Sequence, residues 1–296
     1  MNNEQLKNLA EHAGDYMKYE TPRVITWCSG CGNFGIVNAL KRAFVQLGIG
    51  RKDCLLCFDV GCCGNGADKI EAYTIHGLHG RVLSLAAGAK IGNPRLNVVA
   101  VGGDGGTFSE GVNHLVHSVR NNYPFLFILH NNENYGLTTG QPSSLTRKGA
   151  KMLAAPHGVA VEPINAAQFV LSLNPSFVAR GYSGNVDEMA DIFVEALQHK
   201  GFAFVEILQA CPTYNKLTPN EWYATRVKNV STLAGYDRSD IWQARKLCED
   251  MDKEIYTGVL YLDKEKRDFL SVQVGREGYK TGVVDEVKGY GVEGLY

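Results

Sequence analysis

The sequence has no apolar run near the ~18–20 residues that a membrane span needs, so a protein away from the membrane is expected. It has no basic block either: 30 Lys and Arg stand against 31 Asp and Glu, a net charge of −1. Nucleic-acid binding is therefore not expected, because neutralising phosphates takes a basic face. The first residues, MNNEQLKNLAEHAGDY, are polar and acidic, with neither the apolar stretch of a signal peptide nor the arginines of a transit peptide. A cytoplasmic location is the expectation. Internal repeats and low-complexity tracts are lacking too. Eight cysteines in 296 residues are too few for a disulfide scaffold, and a chain this long buries its core without one.

Two features are plentiful or clustered. Glycine reaches 33 residues, about 11% against the usual ~7%. The cysteines fall at 28, 31, 54, 57, 62, 63, 211 and 248, a grouping that in a reducing compartment reads as metal ligands or redox groups.

Short apolar runs alternate with amphipathic stretches. Strands are expected at 54–60, 97–101, 125–130 and 203–208, the last strand of the chain. Helices are expected at 33–47, 81–92, 108–120 and 185–199, with loop over 131–151. This order gives an α/β fold, a mostly parallel sheet flanked by helices. Residues 1–22 read as an N-terminal arm and 23–217 as the main domain. The polar, weakly periodic residues 218–296 read as an extension that touches a neighbouring subunit, without a core of its own.

The sharpest local signal is the strand Val98-Val99-Ala100-Val101 running into Gly102-Gly103-Asp104-Gly105-Gly106. Strand, glycine turn and helix start present N–H groups to an anion, and glycines let a phosphate approach. The carboxylate lies inside the turn, unlike the dinucleotide fingerprint, so a cation between Asp104 and phosphate is needed; Mg²⁺ is held in that way. The plain alternative is a tight βα turn with a capping Asp. The next strand ends in His130-Asn131-Asn132-Glu133-Asn134-Tyr135-Gly136-Leu137, and neighbouring parallel strands bring their C-terminal ends side by side.

Cys28 and Cys31 form a C-x-x-C between glycines, a spacing that suits zinc, iron–sulfur or redox chemistry. Cys54 and Cys57 share the spacing within a strand, where a separation of three puts them on opposite faces. They read as core, and Cys248 reads as bland. Cys62 and Cys63 follow that strand, and Cys211 follows the strand at 203–208, so all three lie at the sheet's ligand end. Cys28, Cys31, one of Cys62 and Cys63, and Cys211 make the four ligands that an iron–sulfur cluster needs, with zinc as the competing reading. His76 and His79 flank Gly77-Leu78. His114 and His117 share a helical face without a carboxylate pair and read as packing.

The glycine-aspartate-glycine with Asn132 28 residues later resembles the thiamine-diphosphate enzymes. That resemblance implies Mg²⁺ held by Asp104, Asn132 and the carbonyl of Asn134, with Asn131 as an alternative to Asn132. More broadly, W-C-S-G-C-G, V-G-C-C, H-G-L-H-G-R, G-G-D-G, N-E-N-Y-G-L-T and C-P-T-Y-N resemble, in this order, the β subunits of the 2-oxoacid:ferredoxin oxidoreductases over residues 23–217. The resemblance implies a thiamine-diphosphate-binding fold and a 4Fe–4S cluster on Cys28, Cys31, Cys62 and Cys211. It implies a cofactor site of Gly61, Cys62, Cys63, His79, Gly103, Asp104, Gly105, Asn132, Asn134, Tyr135, Gly136 and Leu137. The activity implied is oxidative decarboxylation of a 2-oxoacid, with coenzyme A taking the acyl group and ferredoxin the electrons, possible in reverse as CO₂ fixation. The activating glutamate is expected on an α subunit, in an obligate dimer of heterodimers, so no catalytic acid–base residue is assigned here. Tyr135–Gln141 is closer to the 2-oxoglutarate form than to the pyruvate form, although Thr139 stands where many relatives carry Lys. Pyruvate is the alternative substrate, and a non-redox thiamine-diphosphate lyase with structural cysteines the alternative activity.

Overall fold

The computed structural model describes residues 15–24, 26–273 and 283–288; most of the expected arm, and residues 274–282 and 289–296 of the expected extension, lie outside them. Eight strands form one sheet: β1 (Cys54–Phe58), β2 (Tyr73–His76), β3 (Asn97–Gly103), β4 (Leu126–Asn131), β5 (Phe177–Tyr182), β6 (Ala203–Leu208), β7 (Val227–Asn229) and β8 (Ile255–Leu262). Their order is β2-β1-β3-β4-β6-β5-β8-β7. The first six are parallel, β8 pairs antiparallel with β5, and β7 runs alongside β8.

Central strands β4 and β6 are buried along their whole length, as a parallel sheet covered on both faces requires. Alternate residues serve opposite cores. Leu56, Val99 and Ile128 pack under helices α1 (Asn33–Gln46) and α5 (Val186–Gln198). Cys57, Ala100 and Phe127 pack with α2 (Val82–Gly92), α3 (Val112–Asn121) and α4 (Ala166–Ser172). Cys54 and Cys57 fall into the two different cores, both fully buried. From β1 the chain goes outward to β2 and then crosses to β3 on the other side, which opens a crevice beyond the C-terminal ends of β1 and β3.

Two sequence-based expectations are corrected. The strand at 203–208 is not the last: α6 (Asn220–Ala224), β7, α7 (Ile241–Leu247) and the wholly buried β8 follow, and β8 extends the main sheet. The helix expected at 108–120 is instead a π-helical turn, Gly106–Glu110, followed by α3. Gly111 allows this break, since a Cβ there would stand 2.3 Å from the Gly80 carbonyl oxygen. Elements β2, α4 and β5 were not anticipated. In β5, Arg180 and Gly181 interrupt the apolar run; Arg180 is nevertheless fully buried, its Nε donating at 2.8 Å to Glu206 of β6.

Candidate active site

The twelve residues implied as cofactor contacts line one cleft at the crevice, joined by Val60, Gly106, His130 and Thr138. Asp104 ends the β3 turn with 1% exposure and accepts a hydrogen bond from the Ser143 hydroxyl. Burial pushes its carboxyl up to about 7, against the lowering effect of Ser143. Neighbouring glycines are required by close approach: a Cβ on Gly105 would stand 2.3 Å from the Tyr135 ring, and one on Gly106 2.2 Å from Asp59 Oδ2.

The loop after β4 folds on itself. Asn134 N donates to Asn132 Oδ1 at 3.0 Å, and Asn134 Nδ2 donates to the Asn132 carbonyl at 2.7 Å. Asn134 Oδ1 is buried and has no protein partner. Glu133, between them, takes φ +58 and is buried. Its carboxylate accepts from Arg147 Nε at 3.0 Å and Asn215 Nδ2 at 3.1 Å, and its carbonyl accepts from Thr146 Oγ1 at 2.6 Å. Arg147 also lies 4.6 Å over the Trp222 ring and donates to the Met251 carbonyl at 3.0 Å. Asn132 lines the cleft and Asn131 does not; Asn131 Nδ2 donates at 2.8 Å to Glu206, and its buried Oδ1 has no partner.

Cys28 is exposed, Cys31 and Cys62 are half-buried and Cys211 is buried. Burial raises the Cys31 thiol, and Cys211 and Cys28 push it in the same direction. Cys62 is raised to about 12 by burial first, then by Cys31, Cys211 and Cys28. These four thiols are thus in electrostatic reach of one another. Cys63 is buried, its Sγ 3.6 Å from where a Gly103 Cβ would stand; burial raises its thiol, followed by Asp59, then Cys62, and Asp104 as well. The Cys62 carbonyl is held by Trp27 Nε1 at 2.8 Å and Asn33 Nδ2 at 3.2 Å. Among the described residues, no three His, Cys, Asp or Glu side chains close on a single metal ion.

His79 lines the cleft with Nδ1 2.5 Å from Glu110 Oε2, and Tyr135 OH donates to the same carboxylate at 3.1 Å. His76 is on edge strand β2, its Nε2 2.6 Å from where a Gly64 Cβ would be. His114 pairs with Arg81 at 3.0 Å, and His117 is exposed. Sequence reasoning missed Asp59, Ser143, His130, Gln209 and the Glu133–Arg147–Asn215 mesh. Of these only Asp59 carried a signal, as the carboxylate ending β1 opposite Asp104.

This α/β architecture, with a glycine-aspartate turn and an asparagine loop on adjacent strand ends, has a counterpart among known families. Residues 59–207 match the family described as thiamine pyrophosphate enzyme, C-terminal TPP binding domain. Residues 211–273 match the family described as the C-terminal part of the pyruvate ferredoxin oxidoreductase beta subunit. A 2-oxoacid:ferredoxin oxidoreductase subunit beta from Sulfolobus is 38% identical over 73% of this chain and 72% of that protein. Subunit beta of 2-oxoacid:ferredoxin oxidoreductase 2 from Aeropyrum pernix is 34% identical over 87% of this chain and 86% of that protein. A 2-oxoglutarate synthase subunit KorB from Archaeoglobus fulgidus is 36% identical over 71% and 78%. The solved 2-oxoglutarate:ferredoxin oxidoreductase from Magnetococcus marinus, with 2-oxoglutarate, coenzyme A and succinyl-CoA bound, superposes with a TM-score of 0.84 at 30% identity, over 95% of this chain and 94% of that one. The chain belongs to the beta subunits of the 2-oxoacid:ferredoxin oxidoreductases. Among the described residues, no helix is long and apolar enough to cross a membrane.

Proposed function

We propose that this chain carries the thiamine diphosphate, Mg²⁺ and 4Fe–4S cluster of a CoA-acylating oxidoreductase acting on 2-oxoglutarate. The observation that carries the reading is Cys62: its Sγ lies 3.2 Å from where a Cβ on Gly136 of the asparagine loop would stand, while its thiol also feels Cys31, Cys211 and Cys28. Cofactor and cluster would therefore meet at Cys62.

Asp104, Asn132 Oδ1 and the Asn134 carbonyl are hard oxygen donors of the kind Mg²⁺ takes together with phosphates. The buried Asp104 carboxyl and the partnerless Asn134 Oδ1 both fit an absent polar group. Four cysteines from separate segments give the ligand count an iron–sulfur cluster takes, and a place beside a cofactor that must release electrons favours it over zinc. When bound, thiamine diphosphate supplies the electron sink for decarboxylation, and the cluster supplies one-electron transfer to ferredoxin. The residues of this chain bind and orient: the glycine turn at 103–106 would offer backbone N–H groups to the diphosphate, and His79, beside Glu110 but without a hydrogen bond on Nδ1, would face it from the cleft wall.

Asp104 accepts from Ser143, Glu110 accepts from Tyr135, and Asp59 keeps a partnerless Oδ2 beside Gly106; among the described residues no glutamate lines the cleft, so an α subunit is left to supply the activating one. The 2-oxoglutarate assignment is supported by the KorB relatives and the superposing structure named for that substrate. Thr139, at φ +76 and without positive charge, leaves a cation for the distal carboxylate to the partner.

Visible absorption of the anaerobic complex, before and after 2-oxoglutarate with CoA and with pyruvate in parallel, tests the assignment. Bleaching faster with 2-oxoglutarate is expected. Faster bleaching with pyruvate would transfer the substrate assignment, and an iron-free protein would return the non-redox lyase.

A further inference from the structure

Gln209 follows β6 and is 1% exposed. Its backbone N–H donates to the Asn131 carbonyl at 2.9 Å, one rung beyond the β4–β6 ladder, so the sheet sets where its side chain goes. The side-chain Nε2 lies 3.6 Å from Cys31 Sγ. The backbone is shaped to admit it: a Cβ on Gly32, the residue after Cys31, would stand 2.6 Å from Gln209 Cγ. Its Oε1 makes no hydrogen bond and is buried near His130, whose Nε2 is likewise unpaired. A fully buried amide thus directs an N–H at a sulfur. A neutral thiol is a weak acceptor and poorly compensates the desolvation of an amide. A metal-bound thiolate, carrying negative charge, accepts well, and hydrogen bonds to ligand sulfurs are among the levers that set cluster potentials.

We propose that Gln209 sets the reduction potential of the iron–sulfur cluster, donating Nε2–H to the Cys31 sulfur and so favouring the reduced, more negative state. The inference rests on the cluster reading above. One electron enters the cluster and no proton need move, because the donor stays on the amide. Gln209 acts through Cys31 and is a positioning residue.

The test is an anaerobic redox titration of the whole complex, followed by the paramagnetic signal of the reduced cluster, on wild type, Gln209→Met and Gln209→Glu. Iron and sulfide content is measured on each sample. Met keeps the length and loses the donor; Glu, titrated at a pH above its burial-raised pKa so that it is ionised, keeps the shape, loses the donor and adds charge. With equal iron, the reduced-to-oxidised ratio at a fixed poise should fall about tenfold in Gln209→Met, ~59 mV for a one-electron couple, and further in Gln209→Glu. Equal midpoints for wild type and Gln209→Met, both with full iron, would leave the cluster reading standing and overturn the role of Gln209. If Gln209→Met fails to load iron, Gln209→Glu decides, and a midpoint at or above wild type overturns the proposal. Iron lost from both variants would make Gln209 a structural residue and overturn it as well. A wild type without iron would remove the cluster reading and this inference together.

Discussion

On one side of Cys62–Cys63, Asp104, Asn132 and Asn134 sit in a buried mesh anchored by Ser143, Thr146, Glu133, Arg147 and Asn215. On the other side, Cys28, Cys31 and Cys211 come from segments outside the strands and helices, and Cys28 is exposed. One pocket is shaped by the protein's own hydrogen bonds before any ligand arrives. The other has fewer: the Asn33 N–H and Gln209 on the Cys31 sulfur, the Cys31 N–H on the Cys28 carbonyl, and Trp27 and Asn33 on the Cys62 carbonyl. The comparison teaches that the oxygen site is pre-organised by the fold, whereas the sulfur site would take its order from the cluster proposed for it.

The largest effects should divide the two sides. Cys62→Ser is expected to lose the iron and the visible colour outright, with Cys63→Ser keeping both; iron analysis of the two variants reads this directly. Equal loss from both would erase the distinction between the neighbours.

Next comes the mesh. Arg147→Met leaves the Glu133 carboxylate buried at 4% residue exposure without its cation. Removing one partner of such a pair costs about 3–5 kcal/mol, and denaturant midpoints should fall accordingly. A loss under ~1 kcal/mol would mean that Asn215 and Thr218 suffice, and that the cofactor loop is less dependent on the region after residue 211 than the geometry implies. Smaller again, Asp104→Asn should weaken thiamine diphosphate–Mg²⁺ binding about 100-fold by calorimetry, while iron content stays at the wild-type level. Iron loss in this variant would show the two sites to be one folding unit.

How much of this was legible beforehand divides along the same line. Asp104, Asn132 and the four cysteines stand out because glycine, asparagine and cysteine are residue types that suit backbone approach and ligation, and such residues are visible one at a time. The supporting mesh is not visible in that way. Asn215 meets Glu133 only after the chain has folded over 82 residues of separation, Trp222 reaches Arg147 from the same distant region, and nothing local marks them. In the fold, strands with unbroken apolar runs were readable. Strand β5 was hidden by Arg180, whose burial depends on Glu206 of the neighbouring strand, and β8 by its following a polar stretch. Long-range compensation escapes a local pattern.

The subtlest prediction concerns pH. Asp104 ordinarily titrates near 3.8 and is raised to about 7, by burial above all. Between those values the folded state holds a proton that the unfolded chain has released, so the metal-free protein loses stability as pH rises through this window. A divalent cation reverses the sign, because it binds the deprotonated carboxylate: its occupancy rises through pH ~7 with release of a proton. The thermal midpoint of chelated protein should therefore fall between about pH 4 and pH 7, and Asp104→Asn should flatten that slope. Mg²⁺ with thiamine diphosphate should flatten it in the wild type. If the slope is unchanged in Asp104→Asn, the pH response belongs to other buried carboxyls such as Asp59 or Glu133, both also raised by burial, and the oxygen site is poised by those neighbours rather than by the aspartate at its centre.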